Sequence, residues 1–187
     1  MKKLLLTCNL SLAFFAPAVE AKEILGLNFC GTVSVDDIKK SLGKNEATVS
    51  EEKIDDETGM ISVKTKDYKL ADVNAEVTFS IYKGKLYKIE FADGGIVSEI
   101  LKSKYGLLRN ARENGILIKD IYYYNSKDKD IDIYETFAKF SPSLGVSIGG
   151  NWHYATYLCK PLDRLLTAEI EKNEKRKQLQ KKGANQL

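Results

Sequence analysis

Alternating hydrophobic and polar residues predict β-strands along much of this chain. The alternation is strongest in residues 75–82, and it returns in residues 86–91 after Lys83 and Gly84, which together indicate a hairpin with a tight turn. The acidic pairs at 51–52 and 55–56 are assigned to a polar loop. The other predicted strands span residues 24–29, 61–66, 116–124, 131–140, 146–148 and 152–159.

Apolar residues spaced three or four apart predict three helices. The first follows Ser34, a favourable N-cap, and ends at Gly43; the second spans residues 96–105; the third begins at Pro161. The side chains expected to face the interior are Val35, Ile38 and Leu42 in the first helix, Ile96, Ile100 and Leu101 in the second, and Leu162, Leu165, Leu166 and Ile170 in the third.

The order of these elements predicts an α+β fold. A strand and a helix are followed by three or four strands, a helix, four strands and a last helix. Because helices do not alternate with single strands, an antiparallel β-meander sheet packed by two or three helices is favoured over a doubly wound parallel sheet. We expect one domain over residues 22–171, followed by a basic polar tail at 172–187.

The first 21 residues have the layout of a secretory signal peptide. Lys2 and Lys3 precede a mostly apolar run from residue 4 to residue 15, and Ala21 ends a small-x-small cleavage pattern. A membrane anchor is the first alternative, but the run is about a dozen residues against the roughly 20 that span a bilayer. A lipoprotein signal ending at Cys8 is the second, and its apolar core would be too short. We therefore expect a periplasmic or secreted protein that begins at Lys22.

The charge balance argues against nucleic acid as a partner. The chain has 29 basic and 26 acidic residues, a formal net charge of +3. Basic residues concentrate in the last helix, where residues 172–182 lack an apolar stripe. We expect this tail to be solvated or frayed and dispensable for folding, or to contact a partner electrostatically. No stable membrane insertion is expected of the mature chain.

Two cysteines remain once the signal peptide is removed. Cys30 and Cys159 lie near the two ends of the predicted domain, and cysteines in an oxidising compartment usually pair. The alternative is a reactive or metal-binding thiol, but there is no CxxC motif and only one histidine. We predict a disulfide, which would put the strand at 24–29 next to the strand at 152–159, and no metal site.

Motifs for catalysis are weak in this sequence. His153, the only histidine, could act as a general base with a carboxylate, but a lone histidine on a strand more often packs or faces water. Residues 128–132 begin like a calcium loop, yet Ile133 and Lys139 occupy the glycine and glutamate positions, so a polar hairpin tip is favoured. No GxSxG, HExxH, Walker A or Rossmann pattern occurs, and no cofactor is predicted.

Clustered aromatic residues give the strongest functional indication. Tyrosine and tryptophan provide large recognition area at low entropic cost, although such residues can also be ordinary half-exposed sheet residues. The predicted binding residues are Tyr122, Tyr124, Tyr134, Trp152 and Tyr154. The favoured hypothesis is an exported, non-enzymatic protein-binding module, similar in architecture to inhibitors and immunity proteins. The alternatives are an envelope hydrolase that uses His153 with a carboxylate, and a structural factor in envelope assembly.

Overall fold

A computed structural model describes residues 22–70, 73–92, 95–115, 117–140 and 152–184. The predicted signal peptide and the predicted strand at 146–148 lie outside these residues. The elements in chain order are β1 (Lys22–Ile24), β2 (Leu27–Phe29), α1 (Val35–Lys44), β3 (Glu51–Ile54), β4 (Ile61–Leu70), β5 (Val73–Tyr82), β6 (Lys85–Ala92), α2 (Ile96–Tyr105), β7 (Leu107–Glu113), β8 (Leu117–Tyr124), β9 (Ile131–Phe140), β10 (Trp152–Cys159) and α3 (Lys160–Ala184).

Two antiparallel meanders form a single ten-stranded sheet. Eight strands follow the order β3-β4-β5-β6-β10-β9-β8-β7, so β6 and β10 join the first meander to the second. The short hairpin β1–β2 attaches at β6, where β2 runs parallel to it. The predicted α+β class, with a meander sheet and a C-terminal helix, is confirmed.

Strand alternation gives the sheet two different faces. We call one the helix face: on β9 it presents Ile133, Glu135 and Phe137, and α1 and α2 pack on it. Its central residues on β4 to β6, such as Val63 and Phe79, are fully buried. We call the opposite side the groove face, and on β9 it presents residues 134, 136 and 138.

Helix ends agree with prediction better than helix faces do. Ser34 caps α1 through a capping box with Asp37, and α2 has the predicted bounds, with Gly106 as its C-cap. Ile100 is 42% exposed, whereas Val97 and Ser98 of the same helix are buried. The prediction that Ile100 faces inward is therefore wrong, because α2 is rotated so that its Val97 side meets the sheet.

The C-terminal helix α3 lies against β6 and β10 on the groove face, near one end of the sheet. Leu162 and Leu166 are buried as predicted, but Leu165 is 57% and Ile170 40% exposed, so the predicted inward stripe is too wide. The tail is helical to Ala184 rather than frayed. Its side chains from Glu174 to residue 180 are exposed, in agreement with a solvated helix.

Three strand assignments differ from prediction. Residues 24–29 do not form one strand; they turn at Leu25 and Gly26, both in the left-handed region, to make the β1–β2 hairpin. Strand β3 lies in the acidic segment assigned to a loop, and β7 was not predicted. Both β3 and β7 are edge strands of the long sheet with largely exposed side chains, so neither has the alternation that marks a half-buried strand.

The structure brings Cys30 and Cys159 to disulfide distance, with Cα atoms 5.5 Å apart, as predicted. Strand β5 occupies one edge of β6 along its length, so β2 and β10 share the other edge. They meet that edge end to end rather than pairing with each other. The bridge lies where the two meet and connects the start of the domain to its last strand.

Candidate functional site

An open groove crosses the groove face over strands β6, β10, β9, β8 and β7. Its volume is about 690 Å³. Four half-buried aromatic side chains line it, each from an alternate strand position on this face: Tyr123, Tyr134, Trp152 and Tyr154. Buried Ile121 and Thr156 lie between them in the lining. The groove therefore presents mainly aromatic and apolar surface in the part of the sheet that α3 leaves open.

The aromatic side chains at the β7–β9 end of the groove are held by neighbouring contacts. The rings of Tyr123 and Tyr134 are 5.7 Å apart, and the guanidinium of Arg109 lies 3.8 Å from the centre of the Tyr123 ring. Burial raises the pKa of Tyr134 to about 12, so its hydroxyl stays neutral to a higher pH than that of an exposed tyrosine. These contacts limit the motion of two residues that a partner would meet.

The charged residues that line the groove are paired within the sheet. The ammonium of Lys88 lies 3.2 Å from the carboxylate of Glu90, and that of Lys119 lies 3.4 Å from Glu113. Each pair joins opposite charges, so the groove has no strong local field of one sign. Aromatic area, rather than charge, is its distinguishing property.

The five predicted binding residues divide between the two faces of the sheet. Tyr134, Trp152 and Tyr154 lie together in the groove, whereas Tyr122 and Tyr124 point to the helix face. Tyr123 is the groove residue that the prediction missed. Its position follows from strand alternation, because it is opposite Tyr134 on β9 and its two neighbours must point the other way.

A buried carboxylate organises the helix face beneath α2. One oxygen of Glu135, Oε2, accepts hydrogen bonds from the hydroxyl of Tyr124 at 2.7 Å and from that of Ser98 at 3.0 Å. Glu135 is only 1% exposed. Burial and the neighbouring carboxylate raise the pKa of Tyr124, which keeps its hydroxyl protonated as a donor. Three elements, α2, β8 and β9, are thus tied together by one side chain.

His153 lies beside this carboxylate, as the hydrolase hypothesis requires. Its Nε2 is 3.9 Å from Oε1 of Glu135, beyond hydrogen-bond distance, and the imidazole stacks flat on Phe137 with ring centres 4.1 Å apart. The side chains of His153 and Glu135 are 9% and 1% exposed. The nearby hydroxyls of Ser98 and Tyr124 already donate to Glu135, so this arrangement has the properties of a packed polar network.

In the segment at residues 128–132 that begins like a calcium loop, residues 128–130 form a turn and residues 131–132 begin β9. In the turn, the carboxylate of Asp128 accepts the backbone N–H of Asp130. No group of three or more histidine, cysteine, aspartate or glutamate side chains in the described ranges is arranged to hold a metal ion. Within the same ranges, none of the helices combines the length and apolar character needed to cross a membrane.

In comparisons with known proteins, no family model, curated protein or solved structure matches the chain.

Proposed function

We propose that this protein is an exported binding module that takes a segment of a partner polypeptide into the aromatic groove. The observation that carries the proposal is the convergence of four half-buried aromatic side chains in one open groove: Tyr123, Tyr134, Trp152 and Tyr154. Residues of this type dominate the binding energy of protein interfaces, because they cover large areas and lose little conformational entropy.

The dimensions of the groove favour a polypeptide over a small ligand. It crosses five strands, and neighbouring strands are about 4.8 Å apart, so it extends about 19 Å across the sheet. The groove is open along this distance instead of enclosing a ligand. Its charges are paired internally, which suits apolar and aromatic side chains of a partner better than an anion or a cation.

The location proposed for this activity is the periplasm or the extracellular space. The signal-like segment at residues 1–21 supports it, and so does the cysteine pair at disulfide distance, since disulfides persist in oxidising compartments. A structural role in envelope assembly would use the same groove with a permanent partner.

One observation favours a second candidate, the hydrolase. His153 is next to Glu135, the pairing that general-base catalysis would use. The burial of both groups and the 3.9 Å separation favour a structural role for the pair. If hydrolysis is the function, His153→Ala should abolish an activity of the purified protein against peptide, ester or glycan substrates while its partner binding is unchanged.

Differential capture tests the binding proposal. The purified protein is immobilised and incubated with envelope extract from its own source, next to the variant Tyr154→Ala and the control Ile100→Ala, which removes a similarly apolar side chain from the other side of the sheet. We expect the same partner on the native protein and on the control, and at least about a tenfold loss on Tyr154→Ala. Equal capture by all three would contradict the proposal.

A further inference from the structure

A second pocket, of about 490 Å³, opens on the helix face beside α2. Its lining includes Lys102 of α2, Tyr122 of β8, and Glu135, Phe137 and Lys139 of β9. This pocket and the aromatic groove lie on opposite faces of the sheet. A ligand bound in the pocket would therefore be additional to the partner proposed for the groove and independent of it.

Glu135 lines this pocket, and one of its buried side-chain oxygens has no hydrogen-bond donor among the described residues. Oε1 of Glu135 accepts no hydrogen bond from any of them, although Oε2 accepts two. A buried carboxylate oxygen without a donor is unfavourable by roughly 1–3 kcal/mol or more. A ligand that carries an N–H group, and above all a cationic one, would remove this penalty.

The residues of β9 that line the pocket form a row, and this row would contact other groups of a ligand besides a cation. Glu135, Phe137 and Lys139 are alternate residues on one face of a strand, so they follow each other at about 6.7 Å intervals. The row thus has a carboxylate, an aromatic ring and an ammonium in sequence. The ring of Tyr122 meets that of Phe137 edge to face at 5.6 Å and provides a second apolar wall.

The other charged residues at the pocket do not change this order, with negative charge at the Glu135 end and positive charge at the Lys139 end. Asp120 also lines the pocket, but it forms a bidentate pair with Arg112 at 2.6 and 2.9 Å, which lowers the pKa of Asp120 and balances its charge. Lys102 is one helical turn beyond Ser98, the residue that contacts Glu135, and adds positive charge away from the buried oxygen. A simple cation would be repelled by the two lysines.

We propose that this pocket binds a zwitterion whose ammonium and carboxylate groups are separated by a short hydrocarbon chain. The ammonium contacts Oε1 of Glu135, the hydrocarbon packs on Phe137 and Tyr122, and the carboxylate contacts Lys139. A free ω-amino acid and a polypeptide that ends in lysine both carry this chemistry.

The single histidine of the chain provides the assay. His153 stacks on Phe137, so its ring-proton NMR signals should move when the pocket fills. Titration of the purified protein with ε-aminocaproic acid should give saturable shifts. Pentylamine, which lacks the carboxylate, and caproate, which lacks the amine, should each bind at least about tenfold more weakly. Fluorescence of Trp152, on the other face, should not change.

Two variants and a control locate the site. Glu135→Gln should weaken binding at least about tenfold, and Lys139→Met, at an exposed position, should weaken it several-fold. Lys119→Met, on the groove face of the neighbouring strand, should bind like the native protein. No saturable shift at millimolar ε-aminocaproic acid, equal binding of pentylamine, or unchanged binding by Lys139→Met would overturn the proposal.

The source of the ligand can be identified by one more comparison. A peptide that ends in lysine with a free carboxylate is titrated next to the same peptide with an amidated end. Tighter binding of the free-acid peptide than of ε-aminocaproic acid would identify a polypeptide terminus as the ligand, and weaker binding would identify a free amino acid. Equal binding of the two peptides would contradict a role for the carboxylate.

Discussion

Removal of the Cys30–Cys159 disulfide should cost this protein a large part of its stability. The bridge joins residues 129 positions apart, and the chain-entropy model for a loop of this length gives about 5 kcal/mol. The free energy of unfolding of a typical domain is about 5–15 kcal/mol, so the loss would be a third or more of the total.

Single and double alanine variants measure this contribution. Alanine is preferred to glycine at Cys30 because its φ is +66°, where glycine would relieve backbone strain and obscure the result. In urea denaturation at neutral pH, both single variants should lose about 5 kcal/mol. Cys159→Ala should lose about 1 kcal/mol more, because its side chain is 1% exposed and leaves a small cavity.

The double variant shows whether one disulfide bond accounts for the stability lost in both single variants. It should be no less stable than Cys159→Ala alone, because each substitution removes the same covalent link. The native protein in excess reductant should also lose most of this stability, and it should unfold at a slightly higher urea concentration than the double variant, which has the additional cavity at position 159. If the two single effects add in the double variant, or if reductant has no effect on the native protein, the disulfide does not exist in the isolated protein.

Three further predictions concern the helices. Deletion of residues 172–187 should change the free energy of unfolding by less than about 1 kcal/mol in urea denaturation, because its side chains at 174–180 are exposed and Lys177 forms only a surface ion pair; a loss of several kcal/mol would show that the tail packs. Ser34→Ala should destabilise by about 1 kcal/mol in the same assay, because the Ser34 hydroxyl accepts the backbone N–H of Asp37 at 3.1 Å, and no loss would contradict this cap. Burial raises the pKa of Asp163 above its ordinary value of 3.8, so its ionised form destabilises the fold, and Asp163→Asn should be more stable than the native protein at neutral pH. That gain should disappear as the pH falls through the raised pKa to 3.8, and a gain that does not vary with pH would refute it.

Helix positions and the central hairpin could be predicted because their signals are local. Ser34 and Asp37 form a capping box three residues apart, and Gly106 adopts the positive φ that ends α2. The β5–β6 hairpin likewise has its turn at Lys83 and Gly84, between two alternating strands. None of these features requires knowledge of what packs against them.

Edge strands could not be predicted for a physical reason. Strand β7, Leu107–Glu113, is almost entirely exposed, so selection for a buried face has not imposed alternation on its sequence. It is a strand because β8 pairs with it, which is a long-range property. The orientation of α2 is also long-range, since Ile100 and Val97 have similar hydrophobicity and only the position of the sheet decides which is buried.

To predict the two candidate sites from the sequence, one would need to know which face of the sheet the helices cover. Alternation shows that Tyr123 opposes Tyr122 and Tyr124, but it does not tell which face the helices cover. Glu135 does have a sequence signal, because it lies between the apolar residues Ile133 and Phe137 on one face of β9. A carboxylate in that position is a candidate for burial with hydrogen-bond partners.

Site-specific photo-crosslinking tests the central claim most directly. A photoreactive phenylalanine analogue is placed at Tyr154 in the groove, or at Ile100 on the other side of the sheet, in the full-length protein expressed in its own cells. If the groove binds a partner polypeptide, irradiation should give one discrete crosslinked band from the Tyr154 position, absent from the Ile100 position and lost when Trp152→Ala is added. No crosslink from Tyr154, or the same band from both positions, would contradict the account.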